Sequence, residues 1–307
     1  MKSVSKYLLC LAVCLFVHNE GLQAQTFFES VQGQTSVILP AGGMARINTT
    51  ANSLKIGYYY NRSDQNIVIG VDASGMSNNG FAPLITSREL SPEANININL
   101  GVKNISTGDS HLRGFDYLNL RVGIGAAQYY LIDDTAPFEQ QVNTELFNKF
   151  NIGIAYNYYL SGNMIFGGYA GYDRTNNISS LTMLTVKETT TTTGMGSDGT
   201  VRTAALEYTA WEGEFRPLDQ FSLFLDYVYI PDFLSNRVAL SVYSRSQFNS
   251  MHHMTNGGIG IYLNREGEPL KIVGGLIYEF EDIFATGLPS ASPDGMGTLG
   301  VVLGYHF

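Results

Sequence analysis

Two adjacent histidines, His252 and His253, are the best metal-ligand candidates in the sequence, because methionines flank them and imidazole and thioether groups favour soft metal ions. Neighbouring residues of an extended chain point in opposite directions, however, and no carboxylate lies close to this pair. An exposed loop is therefore the simpler interpretation. Asp133 and Asp134 form an acidic pair suited to acid–base catalysis, but no histidine can be placed beside them. The sequence predicts no enzyme activity, no metal site and no cofactor.

Polar and apolar residues alternate in many segments, and this alternation is the dominant pattern of the chain. A β-strand has a side-chain period of two, so in residues 93–103 the isoleucines fall on one face and the asparagines on the other. Residues 118–126 and 150–160 repeat the pattern. The polar faces are suited either to line a hydrated lumen or to satisfy one another in a structural network. The candidate lumen-lining residues are Asn95, Asn97, Asn99, Lys103, Asn119, Arg121, Lys149, Asn151, Glu207, Asp226, Arg245 and Glu279.

The elements that carry these residues are strands joined by turns. Alternating segments recur from residue 53 to the end, and clusters of Gly, Asn, Asp and Ser separate them. Tight turns at 161–163 and 265–267 join neighbouring segments, which predicts an antiparallel meander. No stretch after residue 25 is apolar for long enough to form a membrane-spanning helix.

The N-terminus has the pattern of a secretory signal peptide. Two lysines precede an apolar run over residues 7–17, and a small residue, Ala24, stands at a plausible cleavage point. The run is too short to cross a bilayer as a helix. We therefore expect removal of residues 1–24. Both cysteines, Cys10 and Cys14, lie in this leader, so the mature chain has no disulfide, no thiolate metal site and no cysteine nucleophile.

Composition favours a membrane barrel over a soluble sandwich or barrel. The chain has 33 glycines, 19 tyrosines and 17 phenylalanines, whereas charged residues make up only 15%. Aromatic girdles and a lipid-facing band produce this balance, and mean hydropathy stays near zero because only alternate residues face lipid. The net charge of -9 without a basic stripe argues against nucleic acid as a partner.

The C-terminus alternates in the same way and ends on an aromatic residue. Its apolar positions are Leu299, Val301, Leu303, Tyr305 and Phe307. This tail resembles the closing strand of bacterial outer-membrane β-barrels, in which a terminal Phe is part of the membrane-insertion signal. The resemblance implies a location in the cell outer membrane, with outer-membrane lipid and the barrel-assembly machinery as partners and any further protein partner unknown. The predicted fold is an all-β, transmembrane, antiparallel up-and-down barrel over residues 53–307, and residues 25–52 form a first strand or a plug.

Loop lengths bear on the number of strands. Outer-membrane barrels have short periplasmic turns and longer external loops. If the chain ends at the periplasm, the twelve evident strands place the long gaps at 74–92 and 132–146 on the periplasmic side. A further strand at 178–189 moves these gaps outside, and an even number then requires another strand within 32–46. The sequence thus predicts 14 strands, with 12 as the alternative.

Short motifs resemble those of particular families. Residues 39–48, LPAGGMARIN, resemble the NPAGMAR segment of FadL-type fatty-acid channels, with Leu39 in place of the Asn. The length is similar to that of PorP/SprF proteins of type IX secretion, whose N-terminal NPA signature the chain lacks. Residues 134–136 resemble the O-glycosylation acceptor of Bacteroidetes, and the leader has the style of that phylum. These features leave two functions open: a passive channel or transport barrel for small solutes, and a non-conducting accessory barrel that anchors a secretion or surface complex.

Overall fold

The computed structural model describes eleven ranges of the chain. They are residues 28–37, 42–61, 66–77, 92–103, 114–137, 140–160, 163–192, 202–251, 253–265, 268–284 and 297–306. The predicted signal peptide, Leu39 and Phe307 lie outside these ranges.

Almost all of the described chain is strand, as the alternation predicts. The strands are β1 (Gly42–Asn48), β2 (Ser53–Asn61), β3 (Ile67–Ser77), β4 (Pro92–Lys103), β5 (Gly114–Ile132), β6 (Val142–Leu160), β7 (Met164–Asn176), β8 (Thr182–Thr192), β9 (Arg202–Glu212), β10 (Pro217–Tyr229), β11 (Val238–Asn249), β12 (His253–Arg265), β13 (Glu268–Phe280) and β14 (Thr298–His306). Short 3-10 turns occur at Ile178–Ser180 and Asp232–Leu234. In the described ranges, no helix has the length and apolar character needed to cross a membrane.

Twelve of these strands close into an antiparallel barrel. β1 to β7 and β10 to β14 form the wall, each paired with its neighbour, and β1 pairs with β14 to complete the ring. The predicted 14-stranded barrel is therefore wrong, and the 12-stranded alternative is confirmed. Both extra strands inferred from loop lengths exist, as β1 and β8. β8, however, pairs with β9 in a hairpin outside the wall, and β9 meets β5 in a short parallel ladder at Leu131 and Trp211.

The two ends of the barrel differ in the lengths of their connections. One end, the long-loop end, carries the connections at 78–91, 177–216 and 281–297. At the other end, the short-loop end, where β14 finishes, the longest connection spans residues 104–113. The long gaps that the sequence analysis assigns to the outside, which follow β3, β5 and β13, thus lie at the same end of the barrel. This asymmetry is typical of outer-membrane barrels.

The outer face of the wall is apolar and exposed. On β4, Ile98 is 51% exposed whereas its neighbour Asn97 is only 8% exposed. Other outward aliphatic side chains include Ile69, Val71, Ile96, Leu100, Ile124, Ile152, Ile154, Leu225, Val242, Ile259, Ile261, Leu276, Leu299, Val301 and Leu303. A soluble sheet would turn this face to a core, because monomeric soluble proteins rarely expose large apolar patches. The fold is therefore compatible with an outer-membrane barrel.

Aromatic residues border this apolar band at both ends. Towards the long-loop end they are Phe150, Tyr172, Phe221, Phe248 and Phe280, and towards the short-loop end they are Tyr60, Tyr156, Phe166 and Tyr227. Their ring pairs follow the strand pairing, with ring centroids 6.4 Å apart for Phe221 and Phe248 and 4.9 Å apart for Phe166 and Tyr227. Two such belts are the expected anchors at the two membrane–water interfaces.

Inside the wall, tyrosine rings lie against glycines of neighbouring strands. A Cβ atom on Gly101 would lie 2.2 Å from the Tyr117 ring, and one on Gly258 would lie 2.2 Å from the Tyr243 ring. Both rings are buried. Glycine at these sites lets a large ring fill the interior without pushing the wall apart.

Replacing Gly101 by alanine is expected to destabilise the barrel by about 1–3 kcal/mol, because overpacking forces a buried ring out of its position. The matched control is Gly168→Ala, whose Cβ would find no atom closer than 3.9 Å on the outer face. Urea unfolding of the two refolded variants measures the difference. Equal midpoints for both variants would contradict the packing argument.

Candidate functional site in the barrel interior

A short segment at residues 28–37, here called the plug, lies inside the barrel. Its Ser36 backbone N–H donates to Asp226 Oδ2 at 2.9 Å, and the Ser36 hydroxyl donates to the same oxygen. On the other side, the Asn157 side-chain amide donates to the Ser36 carbonyl at 2.7 Å. Asp226 belongs to β10 and Asn157 to β6, the two strands on either side of β7, so neighbouring parts of the wall hold one residue of the plug from both of its polar backbone groups.

A buried ion pair supports the same contact. Arg245 Nη2 lies 2.7 Å from Asp226 Oδ1, and both side chains are only 1% exposed. The same Arg245 nitrogen donates to the Gln34 carbonyl of the plug at 3.3 Å. The guanidinium also lies over the rings of Tyr243 and Phe224, 4.6 and 5.3 Å from their centroids. Arg245 is thereby fixed on several sides while it binds the plug backbone.

A second anchor holds the start of the plug. The Val31 backbone N–H donates to Glu279 Oε2 at 3.2 Å, and the same oxygen accepts the Tyr243 hydroxyl at 2.9 Å. The Asn256 amide donates to the other oxygen at 3.0 Å. Three donors thus surround the buried Glu279 carboxylate, which is the arrangement that a buried charge needs.

β1 contributes a third anchor. Arg46 forms an ion pair with Glu29, and the Asn48 amide donates to the Ser30 carbonyl at 3.3 Å. Burial raises the pKa of the Glu29 carboxyl, and the adjacent Arg46 guanidinium acts in the opposite direction. In addition, the Tyr262 hydroxyl of β12 donates to the Glu29 carbonyl at 3.1 Å. Six wall strands therefore bind the plug, namely β1, β6, β10, β11, β12 and β13.

The half of the interior nearest the short-loop end is an apolar core. Phe28 of the plug packs edge-on against Tyr262, with ring centroids 5.0 Å apart at 86°. Buried side chains around this pair include Met44, Tyr59, Val68, Tyr117, Tyr159, Ile165, Val228, Ile230, Ala239 and Ile272. Phe28, Val31 and Val37 of the plug thus belong to the same apolar core as these wall residues.

The half nearest the long-loop end is polar. Asp72 is its centre: one oxygen lies 3.2 Å from Lys55 Nζ and accepts the Asn97 amide at 2.8 Å. The other oxygen accepts the Asn99 amide at 2.9 Å and the Tyr59 hydroxyl at 3.0 Å. Four wall residues therefore satisfy one buried carboxylate.

The network continues along β5 and β6. The Asn119 amide and Arg121 Nε each donate to Asn99 Oδ1 at 3.2 Å. The Asn151 amide donates to Asn97 Oδ1 at 3.2 Å, and Lys149 forms an ion pair with Glu93. Hydrogen bonds and ion pairs thus join the polar side chains of neighbouring wall strands to one another in this region.

A cavity of about 520 Å³ lies in this polar half, between the plug and the long-loop end of the barrel. Plug residues 32–35 form part of its lining. The Tyr169 and Phe224 rings also line it and stack with centroids 5.1 Å apart, between the guanidinium groups of Arg121 and Arg245. The cavity therefore has a polar wall and a rigid stacked base.

The sequence-predicted site residues separate into groups. Asn97, Asn99, Asn119, Asp226, Arg245 and Glu279 are buried in the interior, and Asn95, Lys103, Arg121, Lys149 and Asn151 are partly buried. Glu207, which the alternation assigns to the interior, lies in β9 outside the wall. At the C-terminus, Tyr305 lies in β14, where it pairs with Ala45.

Sequence reasoning missed several interior residues. Asp72 and Lys55 follow the same period of two as their strands, so the alternation itself was a usable signal for them. Glu29 and Ser36 lie in a segment without periodicity, and nothing in the local sequence marks their partners.

The other candidate chemical groups lie at the ends of strands, away from the barrel interior described above. His253 begins β12 and its ring lies 6.4 Å from the Phe248 ring, while His252 is outside the described residues. Asp133 accepts hydrogen bonds from the Thr135 hydroxyl and backbone N–H, which lower the pKa of its carboxyl. Within the described ranges, no three His, Cys, Asp or Glu residues are grouped in a way that could hold a metal ion.

No family model matches this sequence, and no curated protein is similar to it. The interior combines a plug with three anchors, an apolar core towards the short-loop end and a polar cavity towards the long-loop end.

Proposed function

We propose that the protein is an outer-membrane barrel that does not conduct while its plug is seated, and that it acts as an accessory barrel. The main support for this proposal is the plug, because six wall strands bind it through buried charged and polar groups. Such a network makes spontaneous release of the plug costly, since each buried polar group would lose its partner.

A structured extension beyond the barrel supports the accessory role. β5 and β6 are each 19 residues long, whereas β7 and β10 are each 13. Their extra length meets the β8–β9 hairpin, and Tyr129 packs edge-on against Trp211 with ring centroids 5.6 Å apart. Ala127 and Phe147 complete this second small core. A rigid platform at the long-loop end is suited to hold a partner at the cell surface.

The passive channel stays the second candidate. The polar cavity above the plug favours it, because a hydrated, mixed-charge lining is typical of solute pathways. A continuous path would require the plug to leave its anchors.

Planar-bilayer recording of the refolded protein separates the two candidates. The accessory-barrel proposal predicts no stable open-channel current from the wild type, because the seated plug and the apolar core leave ions no hydrated route. A general porin refolded in the same way is the positive control. A steady ohmic conductance of the wild type would overturn the proposal and favour the channel.

Cysteine labelling tests the membrane location itself. Ile98→Cys should react with a lipid-soluble probe and resist a water-soluble one, because the side chain faces outward within the apolar band. Asn97→Cys is the matched control, one residue away and directed into the polar interior. Equal labelling of both variants in native membranes would contradict the lipid-facing assignment.

A further inference from the structure

We infer that the cavity in the long-loop half binds a small polyhydroxylated solute with one carboxylate or phosphate group, that is, an acidic sugar. The inference goes beyond the accessory role, because it assigns a ligand to a cavity that a non-conducting barrel does not need.

Two cations that line the cavity, Arg121 and Arg174, form no direct ion pair among the described residues. Arg174 is exposed, whereas Arg121 is partly buried and is attracted by Asp72 and Asp173 only from a longer distance. Ion pairs join Lys149 to Glu93, Lys55 to Asp72 and Arg46 to Glu29, so these cations have carboxylate partners. Arg121 differs. Its Nε donates to Asn99 and its guanidinium lies 5.8 Å from the Tyr169 ring centroid, but its two terminal nitrogens have no hydrogen-bond or ion-pair partner among the described residues.

These terminal nitrogens are well suited to bind an anion. A guanidinium presents parallel N–H donors that match a carboxylate or phosphate in bidentate geometry. Arg121 lines the cavity, and the stack of Tyr169 on Phe224 restrains its position. A cation held in place before the ligand arrives loses little conformational freedom on binding.

The rest of the lining suits hydroxyl groups. Amide side chains dominate it: Asn95, Asn97, Asn151, Gln220, Gln247 and Asn249. An amide both donates and accepts hydrogen bonds, as a sugar hydroxyl does. Asn151 adds a specific signal, because its Oδ1 is buried and has no hydrogen-bond partner in the structure. A ligand hydroxyl would satisfy this acceptor.

Size and charge together select the ligand class. The volume of about 520 Å³ falls within the usual range for small-molecule sites and exceeds what a bare anion would fill. A neutral sugar would leave the two terminal nitrogens of Arg121 without an anion in direct contact. An acidic sugar satisfies both the amides and the guanidinium.

Calorimetric titration of the refolded full-length protein tests the inference. The probes are glucuronate and glucose 6-phosphate, with glucose and acetate as the matched neutral and non-hydroxylated compounds. We expect glucuronate, glucose 6-phosphate or both to bind at least tenfold more tightly than glucose and acetate. Preference for one of the first two identifies the anion as carboxylate or phosphate. Equal affinity for all four probes, or no heat from any of them, would overturn the inference.

Variants assign the binding to Arg121. Arg121→Gln should weaken binding of the acidic sugar at least tenfold and abolish its advantage over glucose. Arg216→Gln is the control, because Arg216 is an exposed arginine paired with Glu214 away from the cavity. Unchanged affinity in Arg121→Gln would refute the site. If that variant fails to refold, the wild-type preference for glucuronate over glucose decides the outcome.

Discussion

Deleting Tyr305 to Phe307 is expected to abolish assembly of the folded barrel. β14 closes the ring against β1 through five paired positions, and the deletion removes two of them, Met44 with His306 and Ala45 with Tyr305. Backbone groups left unpaired in lipid cost several kcal/mol each, so an opened seam is not tolerated. The tail also resembles the signal that directs barrels to their assembly machinery.

Heat-modifiable migration on gels measures this outcome, because a folded barrel runs differently before and after boiling. The deleted protein should give only the unfolded band in membranes, or be degraded. A deletion of residues 288–290, in the connection between β13 and β14, is the control of equal length. A normal folded band from the tail deletion would contradict the role of this seam.

Replacing Asp226 by alanine is expected to destabilise the protein by about 3–5 kcal/mol, the usual consequence of leaving a buried charge without its partner. Arg245 would remain buried and unpaired, and Ser36 of the plug would lose both its bonds to the carboxylate. Loss of the plug contact should also make the plug accessible to added protease.

Asp219→Ala is the matched control for this change. Asp219 lies on the same strand but is exposed, and it accepts a hydrogen bond from the Tyr172 hydroxyl. Urea unfolding and limited proteolysis compare the two variants. The double variant Asp226→Ala with Arg245→Met should recover part of the stability, because it removes the orphaned charge. Equal unfolding midpoints for the two single variants would contradict the anchor.

How far the sequence predicts the fold depends on the element. β4 shows the strength of the period-two pattern: Ile98 and Asn97 lie on the faces assigned to them. β9 shows its limit, since it alternates like a wall strand although it pairs with β8 and only briefly with β5. An alternating pattern predicts that the two faces of a strand have different environments, but it does not identify the neighbouring strands with which that strand pairs.

The plug is the part of the site that local pattern could not predict. Its Ser36 contacts Asp226, 190 positions away, and Val31 contacts Glu279, 248 positions away. Such contacts arise from closure of the barrel and have no counterpart in short-range periodicity. Inward-facing Asp226, Arg245 and Glu279 were identified because they lie on regular strands, whereas their function as anchors became visible only with the plug in place.

The β8–β9 hairpin also bears on the speed with which the wall can close. β7 must find β10 across residues 177–216, and an unstructured loop loses more entropy as it lengthens. Because Thr182 pairs with Glu212, a hairpin formed first leaves only residues 177–181 and 213–216 to be closed. The hairpin therefore reduces the length of the loop between β7 and β10 by about two halvings, which lowers the entropic cost of closing it by about 1 kcal/mol. The β8–β9 hairpin thus folds locally and brings the start of β10 close to the end of β7, with which it pairs.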